Sequence, residues 1–415
     1  MAPDGGARAA ATAAPAVSSS TRPERPSRET RPLRVLMVLE SDFTKRGGGG
    51  AESQVRTLCR HLIRLGQPVA VMTPLFSFGP QVTAERCSGI PVGRLAYPQW
   101  PLLGGAFMCL RLAVFLLGRG RRYDAWHVHI AHHMGAVACL IGSLLGKPVV
   151  VKISGWWELE KGVMAPDRGP LDAVAHRLLR RGAAFQAIST RIAGELERQG
   201  FPAARIVVLP NAVDTGRFSA RRAPRRAGAP FTAVFVGRLV PEKGLSTLLD
   251  AWASAFAGRA DVRLRLVGGG RLEEALREQA RGLGIAGAVE FLGHQDRVEE
   301  ILADADVGLL PSTIEGLSNT LLEFMASGLP TVASQVSGSE DFVVTGRNGW
   351  LFPVGDAAAL AAHLRTAAAL SPAELQEMGR QARADVEKAS ALETVVGRLL
   401  RLYGGTAPRD LARAG

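Results

Sequence analysis

Seven residues separate Glu315 from Glu323 in the segment Pro311-Ser312-Thr313-Ile314-Glu315-Gly316-Leu317-Ser318-Asn319-Thr320-Leu321-Leu322-Glu323. An ionised carboxylate accepts hydrogen bonds from a diol, so the pair suits a hydroxyl-rich ligand. The apolar run Asp306 to Leu310 leads into the segment as a buried strand, and a helix is predicted to start near Ser318. Glu315 then occupies the loop at the carboxyl end of a strand, where open α/β sheets bind ligands, and Glu323 the first turns of the helix. Between them the amides of Leu317, Ser318, Asn319 and Thr320 are free donors at a helix N-terminus, suited to an anion. Polyol and phosphate recognition within one turn points to a nucleotide sugar. The same spacing also describes two solvated helix carboxylates, so the surrounding sequence has to decide.

A second set of groups lies upstream, in Phe231-Thr-Ala-Val-Phe-Val-Gly237-Arg238-Leu-Val-Pro-Glu-Lys243-Gly244. This reads as strand, short loop and helix. A planar guanidinium and a point ammonium at the end of the strand can clamp a diphosphate, although Arg238 and Lys243 could also be plain surface cations. Near the start of the chain, Arg46-Gly-Gly-Gly-Gly-Ala51-Glu52 follows an apolar strand and opens a helix. Missing Cβ atoms let backbone approach a phosphate or sugar closely there, with Gly49 and Gly50 the candidates. Asp124-Ala-Trp-His127-Val-His129 ends another strand, and the period of two puts both histidines on one face. His129 is the candidate for the reaction centre, the alternative being a satisfied core histidine. His132 and His133 follow directly, which leaves a shifted assignment open. Zinc is a further alternative for this cluster, though His127 and His129 alone supply an incomplete shell.

Strands alternate with helices around these groups. Strands are expected at 33–39, 68–73, 124–129, 148–153, 184–189 and 205–209, with helices at 51–65 and 133–145. Residues 219–230 are polar and punctuated by proline, as in an interdomain linker. Alternation restarts with strands at 231–236, 262–267, 289–291, 307–310 and 330–333, and helices beginning near Gly244, Arg271, Val298 and Asn319. The expected fold is α/β, with two Rossmann-like doubly wound domains facing each other across a cleft. The expected division is a disordered tail over 1–31, a first domain over 32–218, the linker, a second domain over 231–370, and C-terminal helices over 371–415 that pack back toward the first domain.

The second half resembles glycosyltransferase family 4. The resemblance rests on Gly237-Arg-Leu-x-Pro-Glu-Lys243-Gly244, Leu266-Val-Gly-Gly-Gly270, Val289-Glu-Phe-Leu-Gly293, Ala305-Asp-Val-Gly-Leu-Leu-Pro-Ser312 and Glu315-Gly-Leu-Ser-Asn-Thr-Leu-Leu-Glu323-x-Met-Ala-x-Gly328-x-Pro330. Thr345-Gly-Arg-Asn-Gly-Trp-Leu-Phe and Gly355-Asp356 fit as well, and the first half matches more loosely over about 33–218. The resemblance implies GT-B architecture and retaining transfer from a nucleoside-diphosphate sugar to an acceptor hydroxyl. It implies that Arg238 and Lys243 bind the diphosphate, Glu323 the ribose hydroxyls and Glu315 the transferred sugar. Amides of Leu317 to Thr320 would cover sugar and phosphates, and His129 would lie beside the donor sugar. The glycine-rich loop looks like the family's own. No metal or other cofactor is implied, and no Asp-x-Asp ends a strand in this half. Two segments depart from the pattern. Ser154-Gly155-Trp156-Trp157-Glu158 stands where many members have His-Gly, so the acceptor does not carry over. Asn211-Ala212-Val213-Asp214 replaces the usual Asn-Gly-Val-Asp.

Composition agrees with an enzyme of this kind. Of 415 residues, 47% are hydrophobic and 21% charged, as in globular proteins with sizeable cores. A net charge of +12 favours anionic partners, while the arginine clusters lack the interleaved aromatics of a nucleic-acid site. Cys59, Cys87, Cys109 and Cys139 are isolated in sequence and read as buried thiols of a reducing compartment. The first 31 residues have no apolar h-region, so a cytoplasmic protein is expected. Pro101 to Leu117 is apolar, contains Arg111 and is followed by Arg119, Arg121 and Arg122. It is either a core helix beneath a sheet or a helix lying on the anionic inner face of the cell membrane. The acceptor expected is a sugar or a lipid-linked glycan of a surface polysaccharide or glycolipid. The alternatives are a synthase of the same fold acting on a soluble sugar, and a non-catalytic nucleotide-sugar-binding partner in a polysaccharide assembly.

Overall fold

Strands such as Val35–Leu39, Val149–Ile153 and Thr331–Ser334 are buried along both faces, which a sheet tolerates only when helices cover both sides. The computed structural model describes residues 31–44, 49–76, 82–101, 103–219 and 228–412. Most of the expected tail, Arg46, Gly47 and Gly48 of the glycine-rich loop, Leu102, residues 220–227 of the expected linker and 413–415 lie outside the described residues.

The first sheet has strands β1 (Val35–Leu39), β2 (Val69–Pro74), β3 (Ala84–Cys87), β4 (Ile90–Leu95), β5 (Ala125–His129), β6 (Val149–Ile153), β7 (Ala184–Ala187) and β8 (Ile206–Val208). Their order is β3-β4-β2-β1-β5-β6-β7-β8, parallel except for β3 against β4. Its helices are α1 (Gly50–Arg64), α2 (Gly104–Leu117), α3 (His133–Leu145), α4 (Trp157–Glu160), α5 (Pro170–Leu179) and α6 (Thr190–Arg198). The second sheet has β9 (Phe231–Val236), β10 (Val262–Val267), β11 (Val289–Gly293), β12 (Val307–Leu310), β13 (Thr331–Ser334) and β14 (Gly349–Phe352), in the order β11-β10-β9-β12-β13-β14 and wholly parallel. Helices α7 (Leu245–Phe256), α8 (Glu273–Gly282), α9 (Val298–Ala303), α10 (Asn319–Ala326), α11 (Ser339–Phe342) and α12 (Ala357–Ala369) connect or flank these strands. The chain closes with α13 (Pro372–Ser390), α14 (Leu392–Tyr403) and α15 (Pro408–Ala412).

Each face of the first sheet has its own apolar cluster. Leu36, Val38, Trp126 and Val128 pack with α2 and α3, while Val35, Met37, Leu39 and Val150 pack with α1 and α14. The chain reaches that second face by crossing from α13: Val213 donates its amide to Ser390 O at 2.9 Å, and Leu392 donates to Val213 O at 3.1 Å. The cluster on the α2 face also runs on into the second half, joining Ile188, Val213 and Phe218 to Leu317, Leu321 and Leu322. Helix starts are fixed locally. Asp356 accepts from the Ala359 amide at 2.8 Å, and Ser371 with Glu374 forms a reciprocal capping box.

Pro101 to Leu117 contributes to the core along one side of its helix only. Met108, Leu112 and Leu116 are buried in the core, whereas Leu103, Phe107, Leu110, Val114 and Leu117 form an exposed stripe along α2. Among the described residues no helix is long and apolar enough to cross a membrane. The four cysteines are free thiols, with Cys59, Cys87 and Cys139 buried and Cys109 half-buried.

Candidate functional site

Parallel strands point their carboxyl ends to one edge of a sheet, and the groups singled out by type and spacing collect at such edges. In the second half the loops there touch only because glycine permits it. Gly268, after β10, has φ 124°, and a Cβ on it would lie 1.9 Å from Gly237 O. Gly244 has φ 64°, and its Cβ would lie 2.0 Å from Pro311 O. This second contact seats Lys243 against the segment that follows β12. The Lys243 ammonium lies 2.5 Å from Glu315 Oε1, and Ser312 Oγ donates to the same oxygen at 2.8 Å. Both charged side chains are largely enclosed, while Arg238 is exposed. The two expected clamp cations therefore differ, one already paired with a carboxylate and one open to solvent.

The turn from Gly316 to Thr320 is held from both halves of the chain. A Cβ on Gly316 would meet Gly155 Cα at 2.7 Å, so the loops after β6 and β12 pack backbone on backbone. Ser337 Oγ donates to Gly316 O at 2.9 Å and also bonds Ser189 Oγ at 2.7 Å. Asn211 Nδ2 donates to Leu317 O at 3.0 Å. The Asn319 side chain joins three parts of the chain. Its Nδ2 donates to Gly50 O at 3.1 Å, and its Oδ1 accepts from Gln54 at 3.0 Å and from Asn211 at 2.9 Å. Side chains and carbonyls fix this turn, and the amides of Leu317, Ser318, Asn319 and Thr320 make no hydrogen bond among the described residues. Four donors at the start of α10 are thus left for an anionic or hydroxyl-rich ligand.

Glu323 lies one helical turn beyond Asn319 and faces a cavity of about 580 Å³, counted to its open mouth, shared with Thr57, Arg60, Asp214 and Arg217. Part of the residue is exposed, yet its carboxyl is enclosed enough that burial pushes its pKa up to about 7; Arg217 opposes the shift and Glu299 adds to it. Arg217 is itself tied to Glu299 at 2.8 Å and to Asp296 O at 3.2 Å. The two glutamates thus have different surroundings: Glu315 meets an ammonium, whereas Glu323 faces an open cavity and its carboxyl has no hydrogen-bond partner among the described residues.

In the first half, Gly49 caps α1 in extended conformation and Gly50 begins the helix. The carbonyl of Gly50 is the one bonded by Asn319, which joins the glycine loop's last residues to the turn described above. His127 and His129 do share a face of β5, with ring centroids 4.1 Å apart. They are otherwise unlike. His127 Nδ1 is 2.6 Å from the Tyr403 hydroxyl of α14, whereas neither ring nitrogen of His129 has a partner among the described residues. Burial holds both rings neutral, lowering His127 to about 3 and His129 well below the usual range, and the nearby Lys152 acts in the same direction on both. His132 and His133 stand apart at the start of α3, bonded to Glu40 at 2.7 Å and Asp172 at 3.0 Å.

Sequence reasoning passed over several of these groups. Lys152 interrupts the apolar strand β6 beside His129, and burial lowers its pKa to about 7, partly offset by Glu158. Glu158 is buried too and pushed up to about 7, against the amides of Ala131 and Ser154, each donating to it at 2.7 Å. A lone lysine in a strand reading Val-Val-Val-Lys-Ile was the available signal, because charged residues are seldom fully buried without a purpose or a partner. Gln54 carried no comparable mark, and Asn211 stood out only through the segment Asn211-Ala212-Val213-Asp214, which does not show that both side chains hold Asn319.

Comparison with known proteins fits this geometry. A family model described as "Glycosyl transferases group 1" matches residues 230–369, and one described as "Glycosyl transferase 4-like domain" matches residues 49–212. The putative colanic acid biosynthesis glycosyltransferase WcaL of Escherichia coli K12 is 36% identical over 220 residues, 51% of this chain and 54% of the relative. The chain thus spans about half the length of that relative. Glycogen synthase of Mycobacterium tuberculosis is 30% identical over 323 residues, covering 73% of this chain and 75% of the synthase. In three dimensions the chain is similar to Anabaena Alr3699/HepE, solved in complex with UDP, with a TM-score of 0.72 at 20% identity over 90% of this chain and 100% of that one.

Proposed function

This chain belongs to the glycosyl transferases group 1 family, with a GT-B fold, and on that premise we propose that it moves a sugar from a nucleoside diphosphate to an acceptor hydroxyl with retention of configuration. One observation carries the reading: Lys243, Glu315 and four unbonded amides converge at the ends of β9 and β12, with Glu323 facing a cavity one turn further on. Structures of the similar Anabaena protein contain UDP and UDP-glucose, which supports a nucleotide-sugar donor here.

In the proposed reaction Glu323 accepts from the ribose hydroxyls and Glu315 from hydroxyls of the sugar. Lys243, Arg238 and the amides of Leu317 to Thr320 meet the negative charge that develops on the departing diphosphate. The bond from the anomeric carbon to phosphate oxygen breaks, and the acceptor oxygen attacks the same face. A phosphate oxygen takes the acceptor's proton, so the products are the glycoside and the nucleoside diphosphate. His129 and the glycine loop at Gly49 and Gly50 complete the sugar site from the first half. Fixed cations and dipoles supply the stabilisation in this scheme, without a metal at the diphosphate. A thermal-shift panel tests the donor class. A nucleoside diphosphate at 100 times its Kd should stabilise the protein by about 2.7 kcal/mol, and a nucleoside should do far less. No shift with any nucleoside diphosphate or nucleotide sugar would remove the reading.

The acceptor we propose is a lipid-linked glycan of polysaccharide or glycolipid synthesis. The support is the exposed stripe of Leu103, Phe107, Leu110, Val114 and Leu117, with Trp100 packed edge-on to Phe107 and the exposed Arg111, Arg119, Arg121 and Arg122 alongside. Such a face suits the boundary of an anionic bilayer. The protein should then sediment with anionic vesicles at low salt and be released at high salt. The longer match to glycogen synthase favours a second reading, a free glycan acceptor, and absence from vesicles at every salt concentration would select it.

A further inference from the structure

Three ligand-bearing side chains meet at the carboxyl edge of the first sheet, and none of the three has a part in the proposed transfer. Glu40 follows β1, and His132 and His133 lie between β5 and the first turn of α3. Their nearest ligand atoms all lie within 4.8 Å of one another. We propose that Glu40, His132 and His133 form a binding site for a divalent transition metal, zinc by its donor set, with a position left open for an oxygen ligand.

The geometry comes from both backbone and neighbours. His132 is extended, at φ −125° and ψ −161°, and caps α3, so the two consecutive rings turn toward one point with their planes at 88°. Their Nδ1 atoms are 3.3 Å apart. Two nitrogens bound at about 2.0–2.1 Å in a tetrahedral shell are separated by about the same distance. Glu40 supplies the third atom: its Oε1 is 2.7 Å from His132 Nδ1 and would move back a few tenths of an ångström to share a cation. The other carboxylate oxygen is already fixed, accepting from the Met134 amide at 2.9 Å. Each outer contact resembles those that orient metal ligands. The far nitrogen of His133 is 3.0 Å from Asp172, the carboxylate–histidine pairing that fixes a ligand ring. His132 packs its far edge against Gly162, where a Cβ would come within 2.8 Å of Nε2.

A proton bridging Glu40 and His132 explains the 2.7 Å contact but not the second Nδ1 facing the first. One N–H cannot serve both neighbours in good geometry, whereas a cation is shared by all three. Two imidazoles and one carboxylate are a donor set that zinc accepts with its fourth position open. Both histidine side chains are about a third exposed, so ions in solution can reach them.

The test uses the full chain without a purification tag, stripped with a chelator and titrated with cobalt(II). One cobalt per chain should bind, show the visible bands of a four-coordinate ion, and be displaced by zinc. His132→Ala and His133→Ala should each abolish the bands, with folding checked by circular dichroism. Asp172→Asn, which keeps every ligand, should weaken cobalt binding about 10- to 100-fold. His294→Ala, at a histidine that is 81% exposed elsewhere on the surface, should bind like the parent. No bands with the parent, bands that survive His133→Ala, or bands lost in His294→Ala would each overturn the site.

Discussion

Glu323→Ala is expected to weaken binding of the sugar nucleotide roughly 10- to 100-fold, the loss of charge-assisted hydrogen bonds of about 1.5–3 kcal/mol. The pH dependence makes the expectation specific. In the free protein Glu323 is held up to about 7, chiefly by burial, so near neutrality much of it carries a proton. A ribose diol donates to the carboxylate, not to the acid. Donor binding therefore selects the ionised form and expels the proton, and the affinity of the parent should climb as pH rises through about 7. Glu323→Gln keeps the volume and one acceptor but cannot titrate, so its affinity should stay flat across the same interval. A nucleotide sugar is the right probe, because its diphosphate has no terminal oxygen that titrates there. Calorimetry at several pH values reads both quantities. Parent affinity without a pH slope, together with wild-type affinity in Glu323→Ala, would take this carboxylate out of the donor site.

The sequence was most legible where burial repeats with the period of a regular element. Strands such as Phe231–Val236 and Val262–Val267, and the helix His133–Leu145, stand where their apolar runs place them. The β3–β4 hairpin was missed because β3 reads Ala-Glu-Arg-Cys, too short and too polar to look like a strand. Its signal was in the turn: Ser88 and Gly89 have φ of 53° and 86°, the left-handed pair that a tight hairpin needs, and Ser-Gly is a fitting dipeptide. β14 was missed for a related reason, since Gly349 to Phe352 is only four residues long. Individual groups of the candidate site were visible by residue type, but their partners were not. Nothing in the spacing of Gln54, Asn211 and Asn319 shows that the three side chains meet, because their contacts span up to 265 residues of chain. Charge identity was likewise readable and environment was not. Lys243 reads in the sequence as an open clamp cation and is in fact paired with Glu315, while the burial that pushes Glu323 up to about 7 leaves no mark in its spacing.

His129→Ala is expected to slow sugar transfer roughly 100- to 1000-fold, the usual cost of removing one preorganised polar group from a reacting centre, while leaving the donor Kd close to that of the parent. The comparison with His127 gives the expectation its force. Both rings are buried on one face of β5, but only His127 has found a protein partner, in Tyr403. A buried ring with two unbonded nitrogens is costly unless a ligand completes it. His127→Ala should therefore lower the melting temperature, since it strands the Tyr403 hydroxyl, and should change the rate less. His129→Ala removes a ring whose hydrogen bonds the folded chain does not use, so its effect should appear in the rate more than in stability. Because burial and the nearby Lys152 keep His129 neutral, its contribution should also not bend the pH profile near neutrality. Melting curves and single-turnover rates for the two variants separate these outcomes. If His129→Ala melts lower and turns over at the parental rate, the ring is core filling, and the sugar site lacks its contact from the first sheet.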